Sequence, residues 1–575
     1  MGFPDASTRV GKDLLDQYNA ISHDIFILIW ACFMAGCLVQ YVRSCARDGV
    51  APCGPMAATR WLYRHVRCYP LVAILFLIYS IGLVASATWY YPEIIGWYAD
   101  VDQGDLMNHL RFVPSFVGET MKRNDFRFFP LAHQDLHVLS WLTPYVKVWA
   151  MVNALEAVAV VILVVRFVRR LMHGVVVPAL PLLVTALLFL NGAFLQSFYQ
   201  FIYSERLLIL CLSLYIYAYL SWLQGLGQRY LPLALAAALL GAFLKDIAIL
   251  LFAVPAGVRA VVVVCREGWQ GLNHLQLERW IGYLMVGVLI SYGVLTGLPS
   301  MYAGEGSYSS GSSDSVLLGL RTWFLLVFVL VRFWLIICRR CSFSLLDGLN
   351  AGAIMYGIAL AGLVGYSERS YLALPVILVS VIDAAYLYSL LVSSSVLSRV
   401  MTPRVCSGLV LVSCSGLGVW EHRQHSGFLQ AAIPMVQRQE SWRNSYAAIK
   451  KMAILDRENN LPVNIIFSKD SWFNKRRHLH RLAFNRLVRF DPQSGHYDVM
   501  LGAGRGDRYK PKDRDYLLDI DGRLEISKIN DSCWMLGQIC YELVYQSDSG
   551  GKEGRVFRVV KDGAKDAESN NPIKS

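Results

Sequence analysis

The sequence is short of charge and of recognisable soluble-enzyme motifs. Only 17% of its 575 residues are Asp, Glu, Lys or Arg, whereas 55% are hydrophobic. That balance is too apolar for a water-soluble chain of this length. The chain also has no glycine-rich phosphate loop, no serine nucleophile elbow and no His or Cys set with metal-ligand spacing. These absences exclude an ATP-driven pump and favour a protein that uses lipid as its solvent.

The 13 cysteines do not form a disulfide framework. Most lie in or beside apolar runs, where Cys behaves as a small hydrophobe. Cys533 and Cys540 are the exception, because they lie in a polar region and would pair in an oxidising compartment. The first 24 residues are polar and mixed in charge, so we predict no cleavable signal peptide.

Long apolar runs dominate the first 420 residues. A membrane span needs enough apolar residues to cross ~30 Å of hydrocarbon. Twelve runs are candidates: 25–42, 69–90, 148–168, 175–195, 207–223, 231–244, 247–264, 281–298, 316–337, 349–364, 372–392 and 406–419. The first of these could instead lie along the membrane surface. The sequence therefore predicts a polytopic α-helical membrane protein with 11 or 12 transmembrane helices.

Positive charges fall in alternate loops between these runs. The arginines concerned are Arg43, Arg47, Arg60, Arg64, Arg67, Arg166, Arg169, Arg170, Arg229, Arg266, Arg279, Arg339, Arg340, Arg399 and Arg404. The positive-inside rule assigns their loops to the cytoplasm, and the intervening loops to the external face. This pattern accounts for the net charge of +12 without a nucleic-acid partner.

We predict two domains: a transmembrane domain, 1–420, and a soluble mixed α/β extracytoplasmic domain, 421–575. The second begins with a helical stretch and continues in strand-like runs at 463–467, 498–501, 516–520, 541–545 and 556–560. The basic stretch from Lys475 to Arg489 is interpreted as a helix with one solvated face; anionic headgroups are its alternative partners.

The first external loop, 91–147, is far longer than an ordinary helix connection, and long loops usually carry function. Asp100, Asp102 and Asp105 follow a span directly, and Asp105 suits a helix N-cap. Each acid alone is most simply a solvated loop residue. As a cluster at a membrane exit, they suggest a general base for a hydroxyl nucleophile.

Further charges lie in the later external loops. The second loop carries Tyr203, Glu205 and Arg206, which form either a local ion pair at the membrane belt or part of an active site. Lys245, with Asp246 beside it, interrupts nearly continuous apolar sequence, and Arg369 follows a later span. Such cations mark a tight turn or an interface, or they stabilise a phosphate at headgroup level.

This layout resembles the GT-C superfamily of membrane glycosyltransferases: many spans, an acidic first external loop, a Glu-bearing second loop, a Lys at a later external turn and a C-terminal extracytoplasmic domain. The resemblance implies an inverting transferase that moves a sugar from a polyprenyl-phosphate donor to a glycan, lipid or protein acceptor on the external face. The catalytic base implied is Asp105, whose spacing to His109 resembles the family's pattern, or else Asp102.

The resemblance also implies roles for the other residues. Glu205 orients the acceptor or donor sugar. The lipid phosphate is held by Lys245, Arg206 and Arg369. Acceptor or sugar contacts come from Asp100, His109 and Tyr203. No cofactor is required, although a divalent cation could assist, and the expected location is the cell inner (plasma) membrane with the C-terminal domain in the periplasm.

Three other functions remain open at this point. A secondary transporter or flippase of lipid-linked sugars also has about twelve spans, although internal repeats are usual there and none is detectable here. A receptor or assembly scaffold would explain the external domain but not the acidic first loop. A membrane polymerase that joins lipid-linked repeat units is a near neighbour of the transferase.

Overall fold

A computed structural model of the chain describes residues 5–49, 55–90, 125–143, 145–303, 316–394, 401–471, 479, 481–524, 534–536, 539–548 and 553–560. These residues divide into two compact units. The helical unit draws on 1–85, 111–139 and 147–431, and the sheet unit on 86–110, 140–146 and 432–575.

The helical unit is built from helices. They are α1 Arg9–Arg47, α2 Pro55–Cys68, α3 Pro70–Ser86, α4 Gln134–Leu142, α5 Val146–Leu171, α6 Leu180–Phe189, α7 Gly192–Tyr199, α8 Glu205–Leu223, α9 Tyr230–Ala242, α10 Ile249–Glu267, α11 Gln276–Ala303, α12 Leu320–Ile337, α13 Leu345–Val364, α14 Leu374–Ser393 and α15 Pro403–Arg423. A 3₁₀ turn, Tyr371–Ala373, leads into α14.

Among the described residues, nine helices are long and apolar enough to cross a membrane: α1, α5, α8 and α10 to α15. Each of the other three apolar runs also contains a helix, but α3, α6 and α9 have only 17, 10 and 13 residues. At 1.5 Å per residue, α6 spans about 15 Å and cannot cross the hydrocarbon alone. The helix set is that of a multi-pass membrane protein.

The predicted run 175–195 is two helices rather than one. Asn191 caps α7, because its side chain accepts a hydrogen bond from the Phe194 amide (3.1 Å). The Gly192 amide in turn donates to the Ser426 carbonyl (3.0 Å), and a Cβ on Gly192 would lie 2.6 Å from that oxygen. Asn191 and the close backbone approach at Gly192 therefore interrupt the helix, although hydrophobicity alone predicts one continuous segment.

Small residues bring α10 and α13 together. A Cβ on Gly348 would lie 3.0 Å from Pro255, and one on Gly352 would lie 3.3 Å from the Leu250 carbonyl oxygen. Membrane helices associate through such small-residue contacts, because the surrounding lipid supplies no hydrophobic drive between helices. These glycines therefore set the spacing of two helices in the unit.

The sheet unit contains most of α16 (Phe428–Glu458) and one seven-stranded mixed sheet. Its strands are β1 Asn464–Ser468, β2 Arg486–Asp491, β3 His496–Gly502, β4 Tyr516–Asp519, β5 Trp534–Leu536, β6 Ile539–Gln546 and β7 Arg555–Val560. Their order is β3-β2-β1-β4-β7-β6-β5, with β1 parallel to β2 and β4 and the remaining pairs antiparallel. The five predicted strand-like runs are confirmed as β1, β3, β4, β6 and β7.

Two apolar clusters cover the two faces of this sheet. One cluster includes Trp442 and Ile449 of α16 packed with Ile465 of β1. The other includes Ile466 and Trp534. Because adjacent residues of a strand point to opposite faces, Ile465 and Ile466 serve one cluster each. The sheet is thus covered on both sides, as a strand with continuous apolar character requires.

The helix predicted from Lys475 to Arg489 is wrong at its end. Arg486 and Arg489 lie in strand β2, which pairs with β1 and β3. Leu487 and Val488 are adjacent and both fully buried, one on each face of the sheet. A strand that is buried on both faces lacks the alternation of apolar and polar residues by which a strand is recognised. The spacing of the arginines therefore indicated a helix instead.

Candidate active site at one end of the helical unit

The first external loop is described only at its C-terminal end. Asp100, Asp102, Asp105 and His109 lie outside the described residues, so their proposed roles stay predictions. The described part runs from Asp125 to the start of α4. Its contacts show to which element of the helical unit this end of the loop is attached.

The end of the loop is attached to the turn between α9 and α10. The Leu131 amide donates to the Phe243 carbonyl (3.0 Å), and the Phe128 amide donates to Asp246 Oδ1 (2.5 Å). Arg127 Nε lies 3.8 Å from Asp246 Oδ2. Two backbone contacts and one ion pair therefore hold the long loop against the turn that carries Lys245.

Asp246 is the acid of this turn, and its environment is only partly polar. Its side chain is 22% exposed. Burial raises the pKa of Asp246, and the Phe128 amide, Arg127 and Lys245 oppose that change by stabilising the anion. Asp246 therefore binds a proton at a higher pH than an exposed aspartate does.

Lys245 and Glu205 form an ion pair between the α9–α10 turn and the start of α8. Lys245 Nζ lies 2.8 Å from Glu205 Oε1, with the lysine side chain 16% exposed and the glutamate 2% exposed. Glu205 is the first residue of α8, where a carboxylate interacts favourably with the helix dipole. Ser204 Oγ adds a hydrogen bond to the Leu244 carbonyl (3.2 Å). The two loops thus meet at a Lys ammonium that keeps one side open to solvent.

Arg206 is far more enclosed than Lys245. It is 1% exposed and donates to Asp135 of α4, to Glu156 of α5 and to the Phe201 carbonyl. Two carboxylates already compensate its charge, so a phosphate would have to displace one of them. Arg206 therefore acts as an anchor between α4, α5 and α8 in this arrangement.

Arg369 lies in the loop between α13 and α14, and its side chain is exposed. Two residues further on, Tyr371 stacks on Tyr203 with ring centroids 3.8 Å apart. Tyr356 of α13 donates its hydroxyl to the Leu372 carbonyl (3.3 Å). The Tyr203 and Tyr371 rings connect the Glu205 loop to the loop that carries Arg369.

Glu368 holds the base of this loop in place. It is 3% exposed and accepts hydrogen bonds from the backbone amides of Arg321 and Thr322 (3.3 Å each). Burial raises the pKa of Glu368, and these amides and the Arg321 charge oppose the change. Arg321 itself forms an ion pair with Glu421 of α15. Arg369 is thus an exposed cation on a loop with a rigid base.

The acids that pair with Arg206 and the cation that pairs with Asp246 are not among the residues predicted from the sequence. Glu156 was detectable, because a lone carboxylate inside an apolar span needs a partner. Asp135 and Arg127 were not, because nothing in their local sequence distinguishes them from other loop charges. Which cation each acid meets depends on how the helices pack.

Two cations of the described residues lie on loops at this end of the helical unit. Within the residues that the structure describes, no group of three His, Cys, Asp or Glu side chains is arranged to hold a metal ion. Lys245 is partly exposed and Arg369 is exposed, both on loops at the α8 N-terminal end of the helices. Such cations can stabilise a phosphate or a developing negative charge.

No protein-family model matches this chain, and the search of curated proteins gives no match either.

Proposed function

We propose that the protein is a membrane glycosyltransferase that transfers a sugar from a polyprenyl-phosphate donor to an acceptor hydroxyl. The observation that carries the proposal is the attachment of the long first loop to the Lys245 turn through Asp246. This contact attaches the described C-terminal end of the first loop to the turn that holds the predicted phosphate cation. The proposal requires the base, in the part of the loop outside the described residues, to act close to that cation.

The proposed reaction is a single displacement. The acceptor hydroxyl gives its proton to the carboxylate of Asp105 or Asp102, and its oxygen forms a bond to the anomeric carbon of the donor sugar. The bond between that carbon and the phosphate oxygen breaks, and the prenyl phosphate leaves with the electron pair. The configuration at the anomeric carbon inverts, because the attacking and leaving oxygens lie on opposite faces.

Lys245 is proposed to stabilise the charge that grows on the leaving phosphate. Its ammonium is paired with a single carboxylate and remains partly exposed, so it can gain a phosphate oxygen without losing Glu205. Arg369 would add a second cation, and Glu205 would hold Lys245 in place and orient the sugar. Arg206 contributes indirectly by fixing α4, α5 and α8.

The proposed site faces the non-cytoplasmic side of the cell inner membrane. The positive-inside pattern supports this orientation, with 11 or 12 spans and a GT-C-like arrangement. Cys540 in the sheet unit is disulfide-bonded, which fits an oxidising compartment such as the periplasm. The sheet unit would then lie outside the cytoplasm.

A flippase of lipid-linked sugars is the second candidate, and one observation favours it. Asp383 is fully buried in the middle of α14, where its Oδ1 accepts a hydrogen bond from Asn350 Nδ2 of α13 (3.2 Å). Its Oδ2 has no hydrogen-bond partner among the described residues. Acids at such depth are typical of transport pathways and proton relays.

The test is a transfer assay with the purified full-length protein, a synthetic polyprenyl-phosphate sugar and a candidate acceptor pool, with products identified by mass spectrometry. We expect transfer by the wild type and a loss of about 100-fold to 10,000-fold in D105N or D102N. Asp470→Asn, which removes an exposed acid of the sheet unit, is the matched control and should keep full activity.

The same preparation in liposomes separates the two candidates. A flippase moves the labelled lipid between leaflets without forming a new glycosidic bond, and D383N would stop that movement. Movement without transfer, unchanged in both first-loop variants, would reject the transferase proposal.

A further inference from the structure

A second feature of the helical unit lies on α3 and α5, and the proposed site does not use it. These helices run antiparallel, because Arg169 near the end of α5 donates to the Tyr69 hydroxyl just before α3 (2.9 Å). At their other ends, Lys147 Nζ donates to the carbonyls of Val84 and Ala85 (2.9 Å each).

A groove of about 410 Å³ follows the α3 and α5 pair. Along α5 it extends from Leu155 to Arg169, which is about 21 Å at 1.5 Å per residue. Aliphatic and aromatic side chains line most of that length, including Ala73, Phe76 and Val158. A slot of this length and character matches an extended hydrocarbon chain rather than a polar ligand.

The polar lining is concentrated at one end of the groove. His65 and Tyr69 come from the end of α2 and the start of α3, and Arg166 and Arg169 come from the last turns of α5. The Arg169 Nε is buried and has no hydrogen-bond partner among the described residues. No ion pair to a carboxylate is found for either arginine within the described ranges. The mouth therefore carries uncompensated positive charge.

Neighbouring elements strengthen this charge rather than cancel it. Helix α2, which supplies His65, also carries Arg60, Arg64 and Arg67. Arg170 of α5 interacts with tyrosines: it donates to the Tyr230 hydroxyl (3.2 Å) and lies over the Tyr217 ring (4.1 Å). Arg229 is the exception nearby, since it pairs with Asp48 (3.5 Å).

We propose that this groove binds an anionic phospholipid, with one acyl chain between α3 and α5 and the phosphate at Arg166 and Arg169. The apolar length accounts for the chain, and the arginine mouth accounts for the headgroup. A basic helix beside the mouth is what attracts anionic lipid to a membrane surface. The groove mouth and the Glu205 end of the helical unit lie at opposite ends of α5 and α8, so this site is independent of the proposed transfer reaction.

The test is native mass spectrometry of the full-length protein, supplied with phosphatidylglycerol or with phosphatidylcholine of identical chains. We expect one phosphatidylglycerol to be retained in clear preference to phosphatidylcholine. The double variant R166Q/R169Q should lower that preference about thirtyfold, the effect expected of two cations at a lipid headgroup. R339Q/R340Q removes two exposed arginines after α12 and is the matched control, which should keep the preference.

A second variant tests the groove without touching the charges. Ala73→Trp fills the slot with an apolar ring, so it tolerates a lipid environment but leaves no room for the chain. We expect loss of the retained lipid with normal thermal stability. Retention of lipid in this variant, or an unchanged preference in R166Q/R169Q, would refute the groove as the binding site.

Two further results would also overturn the proposal. Equal retention of both phospholipids would mean an unspecific surrounding lipid. Displacement of phosphatidylglycerol from the wild type by a polyprenyl phosphate that Ala73→Trp does not retain would assign the groove to the prenyl lipid instead.

Discussion

The arginines at the two ends of α5 and α8 have different partners. Where α5 meets the start of α8, Arg206 contacts two carboxylates and is 1% exposed. About 21 Å further along α5, Arg169 and Arg170 contact tyrosines instead. An arginine between two acids is neutralised and fixes the structure. An arginine against a tyrosine keeps its full charge and can still bind an anion.

The difference has a physical cause in the two environments. A buried guanidinium must recover its lost hydration, and carboxylates from other helices provide the strongest compensation. At the arginine-rich end the side chains of Arg169 and Arg170 are only partly buried, and tyrosine hydroxyls and rings contact them. The first end is therefore built for rigidity, and the second remains available to anionic lipid.

The largest effect is expected from Arg206→Leu, which removes the arginine that two carboxylates contact at the start of α8. Removing the guanidinium leaves the partly buried Asp135 and Glu156 without their cation, which should cost about 3 kcal/mol in the free energy of unfolding. Arg166→Leu at the other end should change it by no more than about 0.5 kcal/mol. Unfolding of both variants in detergent, followed by circular dichroism, makes the measurement. Equal losses would show that the two ends do not differ as described.

Lys245→Met should reduce transfer activity, and it should also cost stability, because Glu205 is 2% exposed and loses its cation. The lysine is partly exposed and is proposed to stabilise the leaving phosphate. Loss of one such group typically costs about 100-fold to 1,000-fold in kcat. Steady-state kinetics on the full-length protein measure it. Lys12→Met, at an exposed position of α1, serves as the control. Activity within threefold of the wild type would remove Lys245 from the mechanism.

The loops that carry Asp246 and Glu368 should contribute to the dependence of stability on pH, beside Asp515 and Asp519 of the sheet unit, whose pKa values burial also raises. Burial raises the pKa of Asp246 and of Glu368. An acid with a raised pKa contributes stability that is fully present below its unfolded pKa, near 4, and is lost as pH rises through its folded pKa. We therefore expect the free energy of unfolding to fall above about pH 4.

Variants locate this pH dependence. The double variant D246N/E368Q should reduce the slope between about pH 4 and the raised pKa values, since both groups then stay neutral while Asp515 and Asp519 still titrate. R166Q, at the opposite end, should leave the slope unchanged. Unfolding in detergent across this pH range gives the comparison, and a slope in D246N/E368Q equal to that of the wild type would assign it to other groups.

The smallest effect concerns the ring pair that joins two loops of the site. Tyr203 and Tyr371 stack at 3.8 Å, and such pairs contribute about 0.5–1.5 kcal/mol beyond area burial. A double-mutant cycle with Leu at both positions should recover a coupling of that size. The cycle of Tyr203 with Tyr63, which is 70% exposed, should give none. Coupling in the second cycle only would contradict the described stacking.

Much of the helical framework was predictable, because apolar length is a local property. Every one of the twelve apolar runs contains a helix, and five of the seven strands were predicted. The errors lie where local signals conflict. Asn191 interrupts the helix within an apolar run that hydrophobicity alone predicts to be continuous. Strand β2 was not predicted, because the adjacent Leu487 and Val488 are both buried and give no alternation.

The candidate site was predictable only in part. Glu205, Lys245, Tyr203 and Arg369 were selected from loops, and the structure gives each of them a position. Arg206 was selected too, but not its partners Asp135 and Glu156. The first-loop acids Asp100, Asp102 and Asp105 lie outside the described residues, so the identity of the base rests on the variants proposed above.

By itself the sequence determined the apolar helices, the mixed α/β character of the C-terminal domain and the loops in which charge accumulates, because composition and periodicity act over a few residues. Only the tertiary structure decided which charges meet. Lys245 and Glu205 are 40 positions apart, and Arg321 and Glu421 are 100 apart. An ion pair depends on separations of a few ångströms in space. Helix packing sets those separations, and no local pattern records them.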